Sequence, residues 1–162
     1  MRMIPPIVML LPLYFYMNYL GLANTHLGLI LAYTVFDILW VVWVLRGFME
    51  AVPPKVEEAA MIDGASQLTY ITRILLPLVG PGLAVAGVFA FVTSWNDFAV
   101  ALILGGTAVR TVPVALSTFV GETVTVWNAI FAIGTLNFIP TIILAFLVRK
   151  YWATGLTMGL VK

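Results

Sequence analysis

Four long apolar runs, at about 4–20, 27–47, 79–104 and 129–149, dominate this chain of 162 residues. At 1.5 Å of helix rise per residue, such runs approach or reach the roughly 20 residues that cross a hydrocarbon layer about 30 Å thick. Charged residues make up 9% of the chain, against about 25% in a soluble domain. The expected fold class is therefore all-α integral membrane, one domain with four transmembrane helices. Pro5, Pro6 and Pro12 fall inside the first run, where neighbouring helices can tolerate such breaks. A signal peptide is the rival reading of that run, from Arg2 to a small-residue Gly21-Leu22-Ala23. The three prolines and the Tyr14–Tyr19 end argue against it.

The remaining composition excludes several functions. A net charge of +1 gives no electrostatic case for nucleic acid. Cysteine is absent, so disulfides, thiol catalysis and cysteine metal sites are excluded. The one histidine, His26, sits beside Asn24 and Thr25 and reads as a solvated loop residue. No metal or cofactor is expected. The chain also lacks a Gly-rich loop ending in Lys-Ser/Thr, so it does not itself cradle nucleotide phosphates.

The longest polar interruption is Pro53 to Pro77, and with nearby Glu50 it holds Glu57, Glu58 and Asp63, four of the seven acids. Pro54 suits a first helical turn, where its missing N–H costs nothing. Glu57 and Glu58 follow in that turn, favoured by the helix dipole. Ala59 and Ala60 are small and helix-forming. Gly64 breaks the run as a residue free to adopt positive φ. Ser66 can cap a second helix carrying Leu68, Ile71 and Leu75, which Pro77 stops. The pattern predicts helix, sharp turn, helix, with a small-residue face suited to a partner's groove.

The cations orient the chain. With four spans, one side collects Arg2, Arg46, Lys55, Arg73, Arg149, Lys150 and Lys162, and the other only Arg110. This positive-inside bias places the elbow at 50–77 and both termini in the cytoplasm. The loops at 21–26 and 105–128 then face outward.

These residues carry a family resemblance. Glu58-Ala59-Ala60, three residues, Gly64, nine residues, then Ile74-Leu75-Leu76-Pro77 resembles the EAA loop of the membrane subunits of binding-protein-dependent ABC importers. Ile62–Ser66, Trp95-Asn96-Asp97-Phe98 and the closing Gly155–Lys162 resemble the carbohydrate, maltose-type branch. The resemblance implies a MetI-like permease fold in the bacterial inner membrane, with four of six expected spans present, as in a fragment or truncated product. It implies a partner ATPase dimer docked on Glu57, Glu58, Ala59, Ala60, Asp63 and Gly64. It also implies a second homologous permease subunit and an extracytoplasmic solute-binding protein. In that branch the outer loop reaches into the docked binding protein and the tail contacts the ATPase pair; a plain connection and a frayed end are the rival readings.

Asp37 and Asp97 are carboxylates inside apolar runs, a functional signal by default. With Trp95 and Asn96, Asp97 offers the aromatic face and polar acceptors used to grip sugar hydroxyls. Trp95, Asn96, Asp97 and Asp37 are the substrate-path candidates. The competing reading is helix-to-helix hydrogen bonding, worth about 0.6–2 kcal/mol per bond; it is preferred for Asp37, flanked only by Thr34, and level for Asp97. An intramembrane aspartyl protease dyad is a weaker alternative, without the glycine-rich context it needs. A non-transporting scaffold and a permease for a non-sugar solute complete the alternatives.

Overall fold

The computed structural model describes residues 6–121 and 125–158, with side chains described over 7–121 and 125–149. Arg2, Pro5 and the closing Gly159–Lys162, all invoked above, lie outside the described residues, as do 122–124. Helices run over α1 (Pro6–Tyr19), α2 (His26–Glu50), α3 (Pro54–Ile62), α6 (Gly80–Trp95), α7 (Ala99–Gly105), α8 (Val112–Ser117) and α9 (Trp127–Met158). Between α3 and α6, α4 (Gln67–Thr69), a π-helical stretch (Tyr70–Leu75) and α5 (Leu76–Leu78) form one run. Among the described residues there is no strand, only an isolated bridge between Val120 and Thr125.

α2 and α9 are each long and apolar enough to cross a membrane. The run Gln67–Leu78 and α6 qualify together, bent by 72° at the break between them. α1 is a shorter apolar helix, Ile7–Tyr19. The sequence-level third span, 79–104, is two helices. α6 ends at Trp95 and the chain leaves helical geometry over 96–98 before α7 begins. The fourth runs past its expected end at 149, so the tail from Gly155 to Met158 begins as helix.

Large apolar side chains line the outside. Phe131, Leu136, Phe138, Phe146 and Leu147 of α9 are all exposed, and none of that helix's apolar window is buried. A chain that turns its hydrophobic surface outward over whole helices has lipid as its solvent. The fold is an all-α integral membrane one.

The chain divides into two compact units. The first comprises the described residues of Met1–Asp37 and Val92–Thr141. Its core joins Leu10 and Met17 of α1, Leu29 and Ala32 of α2, and Val100, Ala101 and Leu104 of α7. Small residues allow close approach there, as membrane helices require: Ala32 and Ala101 are fully buried, and Gly28 lies against the backbone carbonyl of Leu22. Thr25 caps α2, its hydroxyl accepting from Gly28 N at 3.1 Å and donating to Leu22 O at 2.7 Å. Asn24, at φ 62°, donates its backbone N–H to Leu104 O at 2.7 Å and accepts from Ala108 N at 2.8 Å. The two loops expected on one side of the membrane are thus fastened together.

The second unit comprises the described residues of Ile38–Phe91 and Ile142–Lys162. Ala60, Val79, Val85, Ala86, Val88 and Val148 are buried in it. It contains the whole elbow.

Candidate functional site

The elbow forms as its local chemistry dictates. Pro53 and Pro54 open α3, with Val56 N donating to Pro53 O at 3.0 Å. Glu57 lies in the first turn and Glu58 follows it into the second. At the other end Ala65 N donates to Ala60 O and Gly64 N to Met61 O, both at 3.0 Å. These are the paired 6→1 and 5→2 bonds of a Schellman motif, and Gly64 holds the left-handed position with φ 77°. Ser66 then caps the next run, accepting from Thr69 N at 3.3 Å.

Pro77 does not stop that run. Lacking an N–H and crowding the carbonyl four residues back, it sits just past a stretch widened to i→i−5 bonding, where Leu76 N reaches Ile71 O. The wider turn lets the helix pass the proline and end at Leu78. The small-residue face also differs from expectation. Ala59 is exposed, whereas Ala60 is 5% exposed and packs into its own chain. The surface offered outward is instead apolar at Met61, Ile62 and Leu68, the last two 85% and 72% exposed. Glu57, Glu58 and Asp63 are exposed as well. The one ion pair among the described residues is Arg46–Glu50, 2.7 Å across an exposed helix turn. Periodicity alone could not tell which alanine faces inward, nor that Ile62 stays uncovered.

The first unit holds the polar cluster. Both oxygens of Asp37 are taken up: Thr93 Oγ1 donates to Oδ1 at 2.9 Å and Ser94 Oγ to Oδ2 at 2.7 Å. Thr34, the polar flank seen in the sequence, turns back to Ile30 O at 2.8 Å. Asp97 sits at the start of α7, its Oδ1 accepting from Val100 N at 2.9 Å and Ala101 N at 3.3 Å. Tyr33 OH also donates to it, at 3.4 Å. Each aspartate therefore has its own donors, unlike a dyad sharing one proton.

Trp95 and Asn96 engage α9. Trp95 Nε1 donates to Asn137 O at 3.1 Å, and Asn137 Nδ2 to Asn96 Oδ1 at 3.3 Å. Asn137 Oδ1 is buried without a partner. Asn96 and Thr93 are exposed and the aspartates half-buried. Tyr33 was missed in the sequence, although its place one turn before Asp37 puts both on one helix face.

Outward-facing apolar helices joined by an elbow, with one carboxylate at mid-helix in α2 and another at the break before α7, define a polytopic membrane protein with a polar interior feature. Over residues 1–153 the chain matches the family described as the binding-protein-dependent transport system inner membrane component, and it belongs to that family. It is 34% identical over 164 residues to the trehalose/maltose transport system permease protein MalG of Thermococcus litoralis, covering 100% of this chain and 59% of that protein. It is 35% identical over 159 residues to the sulfoquinovosyl glycerol transport system permease protein SmoH of Agrobacterium fabrum, covering 98% and 56%. It is 33% identical over 162 residues to the diacetylchitobiose uptake system permease protein DasC of Streptomyces coelicolor, covering 99% and 59%. The chain thus spans less than two thirds of the length of these three relatives.

Proposed function

We propose that this chain serves as a permease subunit of an ATP-driven importer moving a sugar or oligosaccharide across the inner membrane. The observation that carries the reading is the elbow. A helix closed by a Schellman turn at Gly64 leaves Met61 and Ile62 exposed, with Leu68 exposed on the run that follows and Glu57, Glu58 and Asp63 exposed on the same segment. An apolar knuckle that also carries acids fits a groove that is both apolar and basic. The partner is an ATPase subunit, present as a dimer. The chain would share its transport cavity with a second, homologous permease and receive solute from an extracytoplasmic binding protein. The sugar assignment is supported by the names of the three relatives above. The elbow and C-terminus would face the cytoplasm, an orientation the cation asymmetry supports.

Closure of the ATPase dimer would then displace the elbow and switch the cavity between inward- and outward-facing states. Along the solute path, exposed Asn96 and Thr93 present polar groups to hydroxyls. Trp95, Asp97 and Asp37 hold the helices that carry them.

The test uses the absence of cysteine. Ala59→Cys, in the chain expressed with the subunits encoded beside it, should crosslink on oxidation to a cysteine in the ATPase groove, with a yield that responds to ATP. Ala60→Cys should stay quiet, since its side chain faces inward. No crosslink from Ala59→Cys in properly inserted protein would refute the docking role.

A further inference from the structure

Within the second unit, the root of the elbow lies where the end of α2 faces the start of α6. Phe48, Val52, Val56, Leu78 and Pro81 line an apolar cavity of about 170 Å³. At one point the two helices touch closely. Gly82 is buried, and a methyl group placed on it would lie 2.5 Å from Phe48 Cγ, 2.6 Å from Cδ2 and 2.9 Å from Cβ. Phe48 Cβ is fixed by the backbone, so no change of rotamer relieves that contact; the helices would have to part. Gly80 and Gly87 of the same helix have nothing within 4 Å.

We propose that Phe48, seated on the bare backbone of Gly82, is the positioning contact through which elbow displacement enters α6. The proposal rests on the permease reading above and extends it to the residues that transmit the motion. A push on α3 meets compressible space at the cavity, and cavities do not transmit displacement as close-packed atoms do. The Phe48–Gly82 contact is close-packed and lies beside that space. It works as a rigid clamp, closed throughout the cycle, so that the end of α2 and the start of α6 move together.

The experiment compares solute moved per ATP hydrolysed in proteoliposomes of the co-expressed complex. Phe48→Ala should lower that ratio roughly tenfold, within the range of coupling between two sites, while the amount of ATPase recovered with the chain stays unchanged. Gly82→Ala should behave alike and Gly80→Ala should not. A merely structural role would lower complex yield and leave the ratio alone, which would overturn the proposal.

A second variant replaces the clamp with a covalent one. With no other cysteine present, the Phe48→Cys, Gly82→Cys double variant can form a single intramolecular bridge. The Cβ separation of 2.9 Å needs a shift of under about 1 Å to reach the ~3.5–4.5 Å of bridged cysteines. Oxidised, the variant should couple near the unmodified level; reduced, it should fall toward Phe48→Ala. Failure of the bridge to form, or arrest of transport when it forms, would overturn the clamp. An unmodified chain that recruits no ATPase would refute the permease reading instead, and bridge formation in membranes still tests the contact itself.

Discussion

Ser94 and Asp37 offer a sharp test of what a mid-span carboxylate needs. Ser94 Oγ lies 2.7 Å from Asp37 Oδ2, in the range of a charge-assisted bond. Ser94→Ala removes that donor and leaves the carboxylate with Thr93 at 2.9 Å. Bonds to charged groups contribute about 1.5–3 kcal/mol in water, while interhelical bonds in membranes average about 0.6 and reach about 1.7. The pair is half-buried, so a loss of about 1.5 kcal/mol is expected, near the upper membrane value. Asp37→Leu should cost less, under about 1 kcal/mol, because leucine keeps the branched heavy-atom shape and removes the charge that needed donors. The hydroxyls it orphans have somewhere to go. Elsewhere in this chain Thr34, Thr72 and Thr135 each donate to the carbonyl four residues back, at 2.8, 2.8 and 2.7 Å. On the Asp37→Leu background, Ser94→Ala should then be silent. The assay is unfolding of the purified chain from mild detergent into dodecyl sulfate, followed by tryptophan fluorescence for the two single variants and the double. Additivity within about 0.5 kcal/mol would mean that the residues do not interact, and the account of Asp37 would fail.

Two further outcomes follow from the geometry. Gly64→Ala puts a Cβ at φ 77°, which costs about 1–2 kcal/mol; recovery of the ATPase with the chain should fall roughly 5- to 30-fold with membrane insertion unchanged, and Gly64→Asn should fall less because asparagine tolerates that region. Asn96→Ala should lower solute transport at unchanged subunit yield, whereas Asp97→Ala, which strips the acceptor from Val100 N and Ala101 N, should lower the yield of folded subunit by loss of a helix cap worth about 1 kcal/mol; a reversed pattern, measured by uptake and by detergent-extracted yield, would make Asp97 the solute contact.

What could be read in advance was what short-range chemistry decides. Pro54 at a first turn, Gly64 at a left-handed position and Ser66 as a cap depend only on neighbours within a turn, and all three stand where the residue types put them. Asp37 and Asp97 announced themselves through the cost of charge in lipid, but their partners did not. Thr93 is 56 residues from Asp37, and Tyr33 is 64 from Asp97; only tertiary structure brings them together. The inward face of Ala60 was hidden for the same reason, since burial belongs to the packed unit and not to the helix. Pro77 misled because a helix has a third response to proline besides ending or kinking, a local widening to i→i−5.

The elbow's shape owes little to a core. Glu57, Glu58, Ala59, Met61, Ile62, Asp63 and Gly64 are exposed, and an exposed segment held by side-chain packing alone would not stay rigid. Backbone devices fix it instead. The proline pair sets its entry, two Schellman bonds set its turn, and the 72° bend beyond Leu78 sets its exit. A lever stiffened in this way passes force only where it is anchored. Among the described residues of the unit, the anchors are Ala60 and Val79, 5% and 1% exposed, and the seat of Phe48 on Gly82. Substitutions on the exposed arm should therefore alter what the elbow binds, and substitutions at the anchors what its movement accomplishes.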